Sequence, residues 1–173
     1  MQLTHILTLA FAITATTTAQ RYHPHGDQYQ RRQVVGSTAS FTQYGPCNDP
    51  SQVSCAWYSA SGYNAAISQA AYGGSPGSGP SAACGVCWQL TPDYPGANEI
   101  VVKVNNLCPD DGNPLCAAPE DVDINFDLCQ DSGAAAALFG GSGTEQVNGT
   151  AVEVDCANWS GGVNVCLPGV EAC

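Results

Sequence analysis

The chain has 173 residues, with four basic residues against 15 acidic ones, a formal net charge of −11 and ten cysteines. Such an acidic surface repels phosphate backbones and anionic lipid, which argues against nucleic-acid and membrane partners, whereas a neutral glycan meets no Coulomb penalty. Histidine stands only at positions 5, 23 and 25, so beyond residue 32 any chemistry falls to carboxylates, amides, hydroxyls and aromatic rings.

In chain order, residues 6–14 form an apolar run too short to span a bilayer, and Thr17-Thr18-Ala19 offers small residues for cleavage. Residues 1–19 therefore read as a secretory signal peptide and the product as secreted and extracellular. Residues 20–32 carry His23, His25, Arg21 and the dibasic pair Arg31-Arg32; they read as a pro-segment or a flexible tail. Past them Lys103 is the only cation, against 14 acidic residues (15 minus Asp27). Residues 33–173 have the length of one domain, show no linker or second module, and are expected to act as a monomer.

Residues 38–44 alternate and end at Gly45-Pro46, as a strand does. Alanines over 64–72, with Asn64 as N-cap, predict a helix. Residues 73–83 are rich in Gly, Ser and Pro and predict a loop. A short strand is expected over 86–90, and a stronger one over 99–107. In the latter Ile100, Val102, Val104 and Asn106 share one face. Residues 109–114 form a polar turn. A strand over 123–128 puts Ile124, Phe126 and Leu128 on one face and Asp123, Asn125 and Asp127 on the other. A helix over 133–139 ends at Gly140-Gly141, and residues 150–155 alternate again. Many short strands with few helices indicate a small, mostly β barrel.

Cys47, Cys55, Cys84, Cys87, Cys108, Cys116, Cys129, Cys156, Cys166 and Cys173 are even in number. In an oxidising context they predict five disulfides whose pairing the spacing leaves open. Cys84-Gly85-Val86-Cys87 has the spacing of a redox motif, but structural bridges are the expectation here, and no histidine accompanies the thiols for zinc. No metal and no cofactor is expected. Asn148-Gly149-Thr150 and Asn158-Trp159-Ser160 are glycosylation sequons.

Asp127, beside Phe126 and Leu128, fits a general acid whose pKa burial raises; it equally fits a solvated strand residue or a helix cap. Asn113 fits turn chemistry, and an amide is a poor base; Asp110 and Asp111 are more orthodox bases on a turn tip. Tyr44, Trp57, Tyr58, Tyr63, Tyr72, Trp88 and Trp159 offer rings for sugar stacking or for the core, with Trp88 assigned to the core.

Several ordered segments then coincide with one family. They are Ser40-Phe41-Thr42-Gln43-Tyr44, Ala65-Ala66-Ile67, Ala83-Cys84-Gly85-Val86-Cys87, the run from Val101 to Pro109 with Gly112-Asn113, and Phe126-Asp127-Leu128-Cys129. Over roughly residues 40–159 the chain resembles glycoside hydrolase family 45 endoglucanases, above all their compact, expansin-like fungal subgroup. The resemblance implies a six-stranded double-psi β-barrel with short helices and an open groove. It implies inverting endo-hydrolysis of β-1,4 glucans, cellulose or mixed-linkage, with Asp127 as general acid. It also implies Asn113 as base through its imidic acid tautomer, and places Thr42, Tyr44, Asn106 and Asn125 at the substrate. Departures are Asn125 where histidine is common, Asn106 where the subgroup tends to aspartate, and the lack of any aromatic after Trp159. The alternatives are a non-hydrolytic expansin-like or loosenin-like wall-binding protein, and a secreted structural or effector protein that keeps only the scaffold.

Overall fold

The computed structural model describes residues 36–118, 121–140 and 146–161. The chain divides into two units, Met1–Arg31 and Arg32–Cys173, and all described residues belong to the second. The expected signal, the segment 20–32, Cys166 and Cys173 lie outside the described residues.

Six strands close into a barrel: β1 (Ser37–Tyr44), β2 (Asn64–Ser68), β3 (Cys87–Pro92), β4 (Ile100–Cys108), β5 (Ile124–Cys129) and β6 (Val147–Val154). Their order around the barrel is β1-β5-β2-β4-β3-β6. The β1–β5 and β2–β4 pairs are parallel, and the other four are antiparallel. This is the double-psi β-barrel, and closure leaves no free sheet edge. Two short helices, α1 (Gln69–Tyr72) and α2 (Ala134–Phe139), pack outside the strands.

Alternation builds the core. Ala39 and Phe41 of β1, Ile100, Val102 and Val104 of β4, and Ile124, Phe126 and Leu128 of β5 point inward and are buried. Trp88 joins them, its ring 5.4 Å from that of Phe126. Burying each of these valine, leucine, isoleucine and phenylalanine side chains contributes about 1.5–3 kcal/mol.

Two expectations need correction. Residues 64–72 do not form one helix: Asn64–Ser68 is strand β2, and only Gln69–Tyr72 is helical. Ala65, Ala66 and Ile67 lie buried between β4 and β5, where small side chains fit a strand paired on both sides. That pairing outweighs alanine's helix preference, which acts per residue at under about 1 kcal/mol. Asn106 does not continue the apolar face of β4. The register steps from Val104 opposite Ala65 to Asn106 opposite Ala66, so a bulge hands the inward place to Leu107.

Four disulfides staple the described residues: Cys47–Cys129, Cys55–Cys84, Cys87–Cys156 and Cys108–Cys116. Cys84 and Cys87 belong to different bridges, which removes the redox-motif reading. Trp57 and Trp159 meet edge to face, 6.2 Å apart, and the Lys103 ammonium lies 5.6 Å and 5.1 Å from their ring centres. Both rings are buried. They fasten the outside of β4 and offer no platform for a sugar.

Candidate active site

The outward face of the β1–β5 pair carries the polar residues. In this parallel register Ser40 lies opposite Asn125 and Thr42 opposite Asp127. All four side chains point away from the core, because Phe41 and Phe126 between them point into it. Ser40 Oγ donates to Asn125 Oδ1 at 2.7 Å, Asn125 Nδ2 donates to Thr42 Oγ1 at 3.2 Å, and Thr42 Oγ1 donates to Asp127 Oδ1 at 2.8 Å. Asn125 has no exposed surface and meets Ser40 and Thr42, so its side chain offers no face to a ligand. Asp127 is half-buried at the end of this series.

On its other side Asp127 meets the Cys108–Cys116 disulfide. Cys108 Sγ lies 3.6 Å from Asp127 Oδ2. Ala66 of β2 stands opposite Asp127 in register, and Tyr44 packs on the cluster of Ala66, Cys108 and Cys116. Burial pushes the Asp127 carboxyl above its ordinary pKa, and the Thr42 hydroxyl opposes the shift. No cation offsets it: Lys103, the only basic residue among the described ones, is boxed between Trp57 and Trp159.

Tyr44 closes the row. Its hydroxyl accepts from Asn106 Nδ2 at 3.3 Å, while Asn106 Oδ1 accepts from the backbone N–H of Ser54 (2.7 Å) and Leu107 (2.9 Å). Asn106 is therefore a bracket between loop, strand and phenol. Burial pushes the Tyr44 phenol up to about 12; the Asn106 bond works against this, and the Asp127 and Asp131 carboxylates add to it. Tyr44 stays neutral at any ordinary pH. The Asp131 carboxylate is fixed by the Cys47 N–H, 2.6 Å away.

Asn113 sits in the turn after β4. Its backbone N–H donates to Asp110 O, its carbonyl accepts from Cys116 N–H, and its side-chain Oδ1 accepts from Leu115 N–H at 3.2 Å. This is an Asx turn made by an ordinary amide. The Cys108–Cys116 bridge ties that turn to the strand end beside Asp127. Asp110 and Asp111 are exposed on the turn.

Ser40 is a member of the site that the sequence pattern does not single out. The signal present was its place two residues before Thr42 on an alternating strand. Two groups of two cysteines and a carboxylate lie close together, Cys47, Cys129 and Asp131, and Cys108, Cys116 and Asp127. In both the sulfurs are joined in a disulfide and offer no thiolate to a metal. Asn148 on β6 and Asn158 in the turn Cys156–Asn158 are both exposed.

The class these observations define is a closed six-strand barrel with a polar series leading to a half-buried carboxyl. Residues 39–161 match the family model described as EXPB1-like domain 1, and the chain belongs to that family. Among solved structures, it is similar to the GH45 endoglucanase EG27II in complex with cellobiose, with a TM-score of 0.51 and 23% identity over 69% of this chain and 80% of that one. It is also similar to the β-1,4-D-endoglucanase Cel45A of the blue mussel Mytilus edulis, with a TM-score of 0.49 and 21% identity over 70% and 80%. The likeness to EG27II is one of fold. No curated protein sequence matches the chain.

Proposed function

We propose that the protein is a secreted endo-β-1,4-glucanase that hydrolyses cellulose or mixed-linkage β-glucan with inversion, Asp127 serving as general acid. The observation that carries this reading is the environment of Asp127. Its carboxyl is half-buried, takes neutral partners in Thr42 and the Cys108–Cys116 bridge, and is raised in pKa by burial, with no cation beside it among the described residues. Such a group holds its proton at higher pH than an ordinary carboxyl does and can deliver it to a glycosidic oxygen. The acidic, cation-poor chain suits an uncharged polymer. Four disulfides suit an oxidising, extracellular location.

Inversion requires a water on the opposite side of the bond, with the two catalytic groups about 6.5–9.5 Å apart. Asn113 is the residue assigned to that water, because its turn is tethered beside Asp127 by the Cys108–Cys116 bridge. Its Oδ1 is held as an acceptor. To take a proton from water, the amide must first pass one from Nδ2 to Oδ1, giving the imidic acid form, whose nitrogen lone pair then accepts the proton of water while the hydroxyl oxygen keeps its bond from Leu115 N–H. Thr42 holds the acid through its hydroxyl, Tyr44 packs on the Cys108–Cys116 cluster beside it, and Asn106 fixes Tyr44.

The test is reducing-end release from barley β-glucan and swollen cellulose by the wild type beside Asp127→Asn. Release by the wild type alone supports the assignment. Equal release by both proteins removes Asp127 from the chemistry. A second reading, a non-hydrolytic wall-binding barrel, draws on the family match and on an amide where an orthodox base carries a carboxylate. Retention on insoluble glucan without new reducing ends would decide for it.

A further inference from the structure

Thr42 has one hydroxyl proton, and two neighbours compete to define where it points. Asn125 Nδ2 lies 3.2 Å from Thr42 Oγ1, and Asp127 Oδ1 lies 2.8 Å from the same oxygen. An amide N–H can only donate. Asn125 Oδ1 accepts from Ser40 Oγ at 2.7 Å and its Nδ2 also faces Cys108 Sγ at 3.9 Å, so the end turned to Thr42 is the donor. The backbone N–H of Asn125 is held as well, by Ser68 Oγ at 3.3 Å. Asn125, Ser40 and Ser68 are all buried, so water does not compete for these bonds.

We propose that Asn125 is a positioning residue for the acid: by donating to Thr42 Oγ1 it bars the threonine proton from its own direction and leaves Asp127 Oδ1 as the acceptor to which that proton turns. The acid's own proton is then confined to Oδ2, the oxygen beside the Cys108–Cys116 disulfide. One oxygen is fixed as acceptor and the other is the one that delivers. This rests on the hydrolase reading for its kinetic consequence, but the hydrogen-bond assignment stands without it. The groups facing Asp127 are Tyr44 from β1, Ala66 from β2 and the Cys108–Cys116 bridge from β4 and its turn. Of these only Tyr44 titrates, at about 12, far above the range concerned.

The test is a titration of the Asp127 side-chain carboxyl by 13C NMR, paired with the pH profile of glucan hydrolysis. In Asn125→Leu the Thr42 hydroxyl is free to turn and accept from a protonated Asp127. The protonated acid can then donate to Thr42, a bond that only the neutral form makes, so its pKa rises, by about half a unit to one unit. The basic limb of the pH profile moves up by the same amount. Asn125→Ser, too short to reach Thr42, gives the same shift if Asn125→Leu does not fold. Asn125→His, which again offers one N–H and one lone pair, returns the titration toward the wild type. In a Thr42→Val background, Asn125→Leu moves nothing further, because the residue it acts through is gone. An unshifted Asp127 in both Asn125→Leu and Asn125→Ser overturns the proposal. So does a shift of equal size in the Thr42→Val background. If the wild type releases no reducing ends, the hydrolase reading fails, and the NMR titration still decides on Asn125.

Discussion

Asp127 and Asn113 carry the chemistry in this account, and each makes a separate prediction. Asp127→Asn keeps shape and loses the proton, so hydrolysis should fall by about 10³-fold or more, with the circular dichroism spectrum unchanged. The carboxyl's pKa is raised on folding. The folded state therefore binds its proton more tightly than the unfolded one, and stability falls as pH rises from the ordinary carboxylate value through the raised one. Removing the group should lift the melting temperature above that window and leave it unchanged below. Calorimetry of both proteins across about pH 3–7 checks the sign. Asn113→Ala should lower kcat by about 10²-fold with little change in KM, since the amide is assigned to water and not to the polymer. Unchanged kcat would clear Asn113 of any role. The outward direction of Asp127 was legible from alternation along residues 123–128. Its partners were not. Thr42 lies 85 residues away, and Ser40 and Asn125 meet across the same gap, a pairing that only the barrel's register creates.

Among the elements, β2 and β4 show where local pattern loses to tertiary pairing. Alanines in β2 have the preference of a helix, but two flanking strands claim the segment. The bulge at Asn105 and Asn106 adds a residue that alternation does not count, and so Asn106 reaches Tyr44 instead of the core. The helix over 133–139, the strand at 38–44 and the turn at 109–114 were legible because their signals are local: a glycine stop, a run of alternation, a Pro/Asp/Gly cluster. Two disulfides separate stability from function. Cys47–Cys129 closes a sequence separation of 82 and Cys108–Cys116 one of 8. Replacing the first pair with serine should cost about 4–5 kcal/mol of stability and the second about 2–3 kcal/mol, from loop-closure entropy. The smaller loss should bring the larger drop in hydrolysis per molecule folded, because that bridge flanks Asp127 and holds the Asn113 turn. Urea unfolding together with turnover on soluble β-glucan measures both. Gly149 of β6 is a tighter constraint: a Cβ there would meet Thr91 O at 2.2 Å and Phe41 Cε2 at 2.8 Å. Gly149→Ala should destabilise the barrel by about 1–3 kcal/mol, and a melting temperature within 1–2 °C of the wild type, roughly the scatter of such measurements, would contradict that packing.

At the scale of the molecule, the barrel supplies a rigid frame and one polar outer face. The closed strand order, the disulfide staples and the boxed Lys103 hold that face still, and with it the Asp127 carboxyl. The family match and the fold of EG27II agree with the architecture expected from the sequence. The most direct measurement follows the anomeric protons by 1H NMR during the first minutes of action on a soluble β-1,4-linked glucan oligomer. The account predicts that the α-anomer of the new reducing end appears first and mutarotates toward β, and that neither signal appears with Asp127→Asn. A β-anomer formed first would contradict the inverting assignment, and the absence of any new anomeric signal with the wild type would contradict hydrolysis itself.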